Sequence, residues 1–470
     1  MHSQSALSIE FIIVGGAISG LASAVSLARV GHKVTVLDDS SDFYDTPMGA
    51  GARIPPNATK VLYRWGMEQA LREVAIKSTG VLFAQFDNGS IVGTHEWEES
   101  VLEETGGDFL LLSYGDLRRI LAEFAVKHGA VLRPNSQVIS VQADTERPSV
   151  TLITGEVLTG DVIIGADGCH VPPYHTRRVV LEATEQEDIE KPTGLQLFNV
   201  LVPWSAVDKL NDPVAANVKG TGKLCTWFGR TYGALGFPVK EPGTGASLFT
   251  LFVYVERDDD DMTVVYAGKE HLVRWLQGCD PRLRTLAESA EKIICIPMIE
   301  RPFLEEWIHP DGRLLCIGEA AHPIAAGSIY ALSMSIGDAA VLGKLFSHLH
   351  RKEQIPIFLN AVQEIREPRV QSVLKASLGN IFAVSLPPGI AEQRDRELRE
   401  RAEQEVWNLG RAGTQTTSEE MIMAIEGIFA YDPEDSADDW WQQWGITHER
   451  AQRLFFGGSF GLNVATEEED

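Results

Sequence analysis

The stretch from Phe11 to Leu37 constrains this chain more than any other. Phe11–Val14 is a short apolar run, and Gly15-Gly16-Ala17-Ile18-Ser19-Gly20 follows at once. Apolar residues then recur at helical spacing from about Ser19 to Val30. A second apolar run, Lys33–Leu37, completes a strand–helix–strand unit of about 30 residues, the length a parallel crossover needs. Glycine turns tightly enough between strand and helix, and the helix N-terminus behind it carries about +0.5 elementary charge. The unit therefore predicts a parallel sheet whose first turn, built on Gly15, Gly16 and Gly20, faces a pyrophosphate. Asp38 or Asp39, at the end of the second strand, stands where an acid accepts a hydrogen bond from a ribose hydroxyl. The middle glycine of the usual spacing is Ala17, whose methyl sits where backbone should approach phosphate.

The 470 residues exceed one compact domain. A helix is predicted over Tyr114–Gly129, then strands at Val131–Arg133, Val138–Gln142, Val150–Ile153 and Val162–Gly165. From about Thr193 to Tyr266 the period is that of strands. A strand at Arg313–Ile317 and a helix over Ala331–His348 follow, and the chain after Pro356 reads helical. The β-rich stretch thus interrupts a nucleotide-binding α/β fold. With 41 Lys+Arg against 66 Asp+Glu the formal charge is −25, which repels polyphosphate and argues against nucleic-acid and anionic-membrane partners. No run reaches the ~18 apolar residues of a membrane span, and the first ten residues lack the pattern of a secretory signal. Five scattered cysteines without CxxC or Cys/His spacing point to a reducing compartment and no metal site. The expectation is a cytoplasmic enzyme. Acid runs at Asp258–Asp261 and Glu467–Asp470 read as a solvated hairpin tip and a frayed tail.

Three further segments carry chemistry: Gly49-Ala50-Gly51-Ala52-Arg53-Ile54-Pro55-Pro56-Asn57-Ala58, Gly165-Ala166-Asp167-Gly168-Cys169-His170, and Gly318-Glu319-Ala320-Ala321-His322-Pro323. Asp338-Ala339-Ala340-Val341-Leu342 continues a helix beyond them. In this order, across residues 10 to 350, the chain resembles the class A, single-component FAD-dependent aromatic hydroxylases of the salicylate-hydroxylase-like group. The resemblance implies an α/β fold: a Rossmann-like FAD-binding domain of the aromatic-hydroxylase type in three pieces (8–78, 113–182 and 296–355). A β-rich substrate domain (79–112 and 183–295) is inserted in it, and a helical C-terminal region (356–470) follows. It implies FAD contacts from Gly15, Gly16, Gly20, Asp38, Gly51, Arg53, Tyr114, Asp167, Gly168, Glu319 and Ala331, with Arg53 and His322 as catalytic candidates. It also implies NAD(P)H as a transient reductant and O2 adding at flavin C4a. The resulting hydroperoxide would hydroxylate or epoxidise a phenolic or polycyclic small molecule, in the manner of secondary-metabolite biosynthesis.

Several positions depart from the family pattern. Tyr114 stands for the Arg of a "His-Arg-x-Asp-Leu" segment, Glu319 for an Asp, Tyr330-Ala331 for a Gln-Gly pair, and Phe198-Asn199 for a "Tyr-Arg" pair. Each lost charge-assisted contact costs on the order of 1–3 kcal/mol. A second expectation follows: a relative without flavin, catalysing a non-redox cyclisation, isomerisation or hydrolysis with Glu319 and His322 as proton donor and acceptor. A silent scaffold is a third. Plainer roles stand beside these. His322 reads equally as a loop residue bonded to backbone, His170 and His175 as surface residues, and Cys169 as an inert buried thiol. Trp440, Trp441 and Trp444 read as a core plug or a docking face for the C-terminal helices rather than a substrate cage.

Overall fold

The computed structural model describes residues 4–447 apart from 45–50, 98, 145, 170–174, 213–217, 219–220, 230–231, 242, 258–264, 267, 291, 325–326, 385–388, 390–391, 394–395, 397–398 and 401–428. Gly49, Ala50, His170 and both acid runs read above lie outside the described residues.

Glu10–Val14 is the central strand of a five-stranded sheet. Its order is Leu314–Cys316, Val162–Gly165, Glu10–Val14, Lys33–Leu37, Val131–Arg133, with every pairing parallel. Val162–Gly165 and Leu314–Cys316 are buried throughout, which is why they read as unbroken apolar runs. The Ile18–Arg29 helix packs on this sheet, and the Ala331–Phe346 helix packs on it in turn. The two helices touch so closely at Gly343 that a Cβ there would stand 2.7 Å from the Ser26 Cβ.

The inserted sheet has eight strands, in the order Val265–Tyr266, Lys292–Glu300, Lys191–Pro203, Ser247–Glu256, Gly233–Lys240, Leu224–Phe228, Gly80–Gln85, Ile91–Glu96. All neighbours are antiparallel except Leu224–Phe228 beside Gly80–Gln85. The two-residue period of the long strands sorts side chains to opposite faces. Phe198, Val200, Leu251 and Val253 bury against Leu272, Leu276, Leu283 and Leu286. Leu197, Phe252, Tyr254 and Phe237 face the other way and join the core of the nucleotide-binding sheet. A small sheet, in which Gly51–Ile54 pairs with Leu110–Ser113, lies between the two. There a Cβ on Gly51 would meet Phe237 at 2.8 Å.

The C-terminal residues pack back onto earlier parts of the chain. Phe429 is buried against the rings of Trp97 and Phe109, at 5.9 and 5.7 Å. Asp432 caps the Pro433–Trp440 helix and takes two 2.7 Å bonds from Arg64. Trp441 stacks on His348 at 4.3 Å and Trp440 donates to Glu364, whereas Trp444 is exposed. All five cysteines are free and buried. Among the described residues no helix is long and apolar enough to cross a membrane, and no cluster of ligands could hold a metal.

His32 is buried at the edge of the parallel sheet, where one ring nitrogen accepts from Ile9 N–H and the other donates to the Phe346 carbonyl. Burial lowers its pKa to about 4, from an ordinary value of 6.5. The unfolded chain therefore binds this proton first, and the site's contribution to stability is lost as pH falls from 6.5 towards 4, by about 3 kcal/mol in all. Denaturant melts of His32→Gln are expected to show a shallower loss of stability across that window than the parent chain. An equal slope would mean that His32 is already charged in the folded protein.

Candidate functional site

A cleft of about 500 Å³ opens along the carboxyl ends of the parallel strands. Its wall is made by residues 14–19, Leu37 to Asp39, Tyr114, Ser136 to Val138, Ala166 to Gly168, His175, Glu319, Ala331, Leu332 and Ser335. Of the residues singled out in the sequence, Gly15, Gly16, Asp38, Tyr114, Asp167, Gly168, Glu319 and Ala331 meet here, although they span more than 300 positions.

Gly15 has φ +103°, and a Cβ on it would lie 2.2 Å from the Ala166 carbonyl oxygen. The strand that ends in the Asp167 motif is therefore pressed directly against the turn. Gly16 N–H donates to one oxygen of Asp38 at 2.6 Å, while the other oxygen takes Arg118 at 3.3 Å. Arg118 also donates to the carbonyls of Gly16 and Asp42, each at 3.0 Å. This buried arginine fixes the glycine turn to the acid that follows the second strand, and sequence reading missed it. The available signal was its spacing, one helical turn beyond Tyr114 and on the same face. Gly20 does not line the cleft. A Cβ there would stand 1.9 Å from the Gly15 carbonyl, so this glycine lets the helix close on the turn.

Two helices begin at the cleft, and neither N-terminus has a side-chain cap or an acid in its first turn. One starts at Ile18 behind Ala17, the other at Ala331 behind Tyr330. Elsewhere in the chain Ser113, Asp280 and Asp432 cap the helices they precede. Uncapped N–H groups and the positive end of the helix dipole attract negative charge. Two of them in one cleft suit a ligand that carries anionic groups at separated points.

The side chains contribute the opposite sign. Asp38, Asp39, Asp167 and Glu319 line the cleft, and among the described residues no Lys or Arg does. Asp167 accepts from the backbone and hydroxyl of Thr176, and burial pushes its pKa up to about 6. Tyr114 turns its hydroxyl to the Ile18 N–H, and burial beside Glu319 pushes its pKa up to about 12. Backbone N–H groups for phosphate, carboxylates for ribose and ribityl hydroxyls, and glycines at the points of contact form a donor and acceptor set that fits FAD. Tyr114→Arg would add a cation to a wall that has no Lys or Arg among the described residues. It is expected to tighten FAD binding about tenfold, measured by titration of apoprotein, as one charge-assisted hydrogen bond predicts. Unchanged affinity would mean that the backbone already neutralises the pyrophosphate.

Besides Gly20, three of the singled-out residues lie outside this wall. Gly51 and Arg53 sit at the seam with the eight-stranded sheet, where Arg53 donates to the Gly327 carbonyl. His322 is buried against Trp307, and its Nε2 donates to Asp338 at 2.6 Å. Asp338 also accepts from Gly318 N–H at 2.9 Å and from Arg366 at 2.8 Å. Glu319 thus faces the cleft and His322 a sealed ion-pair cluster, so the two do not share a wall as an acid/base pair would require.

A family profile described as "FAD binding domain" matches residues 8–205. Fold, cleft and profile agree on a chain that carries an FAD-binding domain, and the chain is similar to FAD-dependent aromatic hydroxylases and monooxygenases. It is 26% identical over 401 residues to the FAD-dependent monooxygenase OpS4 of Beauveria bassiana, covering 84% of this chain and 90% of that one. To the 3-hydroxybenzoate 6-hydroxylase of Klebsiella oxytoca it is 26% identical, covering 71% and 78%. A salicylate hydroxylase substrate complex shares the fold with a TM-score of 0.70 at 19% identity, covering 92% of this chain and 97% of the other.

Proposed function

We propose that this protein uses NAD(P)H and O2 to hydroxylate, or epoxidise, a phenolic or polycyclic small molecule in a biosynthetic pathway. The observation that carries the reading is the single cleft with an uncapped helix N-terminus at each of two points and carboxylates between them. Relatives named for small-molecule oxidation agree with it, among them an asperlicin C monooxygenase and a hispidin-3-hydroxylase. When bound, FAD supplies the redox chemistry, taking two electrons from NAD(P)H and activating O2 so that one oxygen atom enters the ring and the other leaves as water.

The chain's own residues have simpler tasks. N–H groups at the start of the Ile18–Arg29 helix receive the pyrophosphate, and Asp38 and Glu319 accept from sugar and ribityl hydroxyls. The N-terminus of the Ala331–Phe346 helix places positive potential where the ring gathers negative charge. The apolar face of the eight-stranded sheet, with Leu197, Phe237, Phe252 and Tyr254, excludes water from the ring side of the site.

Gently purified protein is expected to be yellow, to consume O2 when given NADH or NADPH with a phenolic substrate, and to incorporate label from 18O2 into product. An apoprotein that binds FAD more weakly than roughly 0.1 mM, or about −5.5 kcal/mol, would remove the proposal.

A further inference from the structure

The cleft that fits FAD is short of positive charge. Its wall holds Asp38, Asp39, Asp167 and Glu319 and, among the described residues, no Lys or Arg. The helix end at Ile18 offers about half an elementary charge, whereas a pyrophosphate brings a double negative charge. Among the described residues of the wall, His175 is the one that can become a cation near neutral pH.

Its sequence context reads as surface, but the structure places it in the cleft wall, at the start of the His175–Ala183 helix. Both ring nitrogens are buried, and neither has a hydrogen-bond partner. A neutral imidazole has one donor and one acceptor to satisfy, and an imidazolium has two donors. Buried polar atoms of this kind ordinarily find partners, so an orphaned ring in the wall of a cleft points to a ligand. Ser19 is in the same condition: it is buried, it lines the same cleft, and its hydroxyl has no partner.

His175 also stands beside the glycine turn. A Cβ on Gly15 would lie 2.8 Å from the Asp167 nitrogen. The Asp167 carboxylate in turn accepts from the backbone N–H of His175 and, at 3.0 Å, from that of Thr176. That carboxylate is thereby engaged by the start of the helix, and the imidazole is left to meet an anion received at Gly15 and Gly16. On the same helix Arg178, together with burial, holds the ring's pKa below its usual 6.5. The helix packs on Val138–Gln142, which has no titratable side chain, and on Leu314–Cys316, where burial keeps the Cys316 thiol protonated. Across the cleft stand Asp38, Asp39, Tyr114 and Glu319, with Asp38 held by Gly16 N–H and Arg118. The free cleft therefore holds a neutral imidazole, and a phosphate brought next to it favours the charged form.

We propose that His175 is the conditional cation of this cleft: it takes a proton from solvent as FAD binds and donates a ring N–H to the pyrophosphate. Cofactor capture is then coupled to proton uptake, and FAD is held more tightly at mildly acidic than at alkaline pH. This rests on FAD as the ligand of the cleft, and its test needs no turnover.

The test is calorimetric titration of apoprotein with FAD, in PIPES and in imidazole buffer near pH 6.8, so that the difference in heat counts protons. The parent protein is expected to take up roughly half a proton or more per FAD, and its affinity to fall about tenfold between about pH 6.5 and 8. His175→Gln is expected to bind FAD about tenfold more weakly near pH 6.5, with no proton uptake and no pH dependence from this site. His175→Lys carries its charge throughout that range and is expected to keep the parent's low-pH affinity up to about pH 8, again without uptake. The ring makes no hydrogen bond in the parent, so both variants should keep its melting temperature. Asp167, whose pKa is about 6, titrates in the same window, so the variants at position 175 decide the assignment. FAD binding without proton uptake in the parent overturns the proposal. So does uptake that persists in His175→Gln, which would move the proton to Asp167, or a lysine variant no tighter than the glutamine one. Apoprotein that binds no FAD at any pH overturns this proposal and the oxygenase reading together. Proton-coupled FAD binding without NAD(P)H-driven O2 uptake would sink the oxygenase reading alone.

Discussion

Gly15→Val is expected to yield protein without flavin. Valine meets two obstacles there. A β-branched residue at φ +103° is strained by about 1–3 kcal/mol, and its Cβ would stand 2.2 Å from the Ala166 carbonyl oxygen. The turn can relieve the overlap only by moving off the Val162–Gly165 strand. That displaces the N-terminus of the Ile18–Arg29 helix from the cleft and pulls Gly16 N–H from Asp38. FAD affinity measured on refolded apoprotein should fall by a factor of about a hundred or more, equivalent to some 3 kcal/mol. Gly168→Ala is the informative comparison. Its φ is +72° but nothing lies within 4 Å of the added Cβ, so it carries the backbone strain without the collision. Its loss should be about tenfold at most. Equal losses in the two variants would mean that strain alone, and not the contact with Ala166, governs the turn.

Asp338→Asn is the second large effect, and it acts on stability. Asp338 is wholly buried and receives His322, Arg366 and the Gly318 N–H. Burial on its own would raise its pKa, yet His322 and Arg366 hold it down at about 2. An asparagine keeps the shape but leaves the Arg366 cation without an anion, and its amide nitrogen faces donors. Breaking a buried pair in this way costs about 3–5 kcal/mol. At roughly 2–4 °C per kcal/mol for a large domain, the melting temperature should drop by about 10 °C. The sign with pH follows from the lowered pKa. The Asp338 contribution is present above the unfolded value near 3.8 and is lost as pH falls towards 2, by about 2 kcal/mol in all. The variant should lack that acid limb. A melting temperature within a degree of the parent would show that the cluster is not coupled to global folding.

Much of the architecture was legible in the chain because it rests on local physics. Strand, glycine turn and helix at residues 11–30 follow from an apolar run, a residue able to take positive φ, and a helical period. Arg118 was harder to see, since nothing in Leu117-Arg118-Arg119 distinguishes an arginine that buries on a turn from its neighbour Arg119, which pairs with Glu123 at the surface. The hairpin Gly80–Gln85/Ile91–Glu96 escaped periodicity because its strands alternate weakly. Its place in the sheet depends on Leu224–Phe228, more than a hundred residues away.

By itself the sequence determined where the chain turns, which runs must be buried, and that one turn faces an anion. Those properties depend on the residues within a few positions of each glycine or apolar run. Only the tertiary structure decided which side chains keep company. It put Glu319 on the cleft and His322, three residues on, in a hydrogen bond with Asp338. It also left Arg53 bonded to a carbonyl 274 residues away, over the rings of Phe237 and Phe252 on another sheet. Such pairings depend on how two sheets and a helix pack, and packing sums weak contacts over the whole molecule, so no local stretch of sequence encodes them.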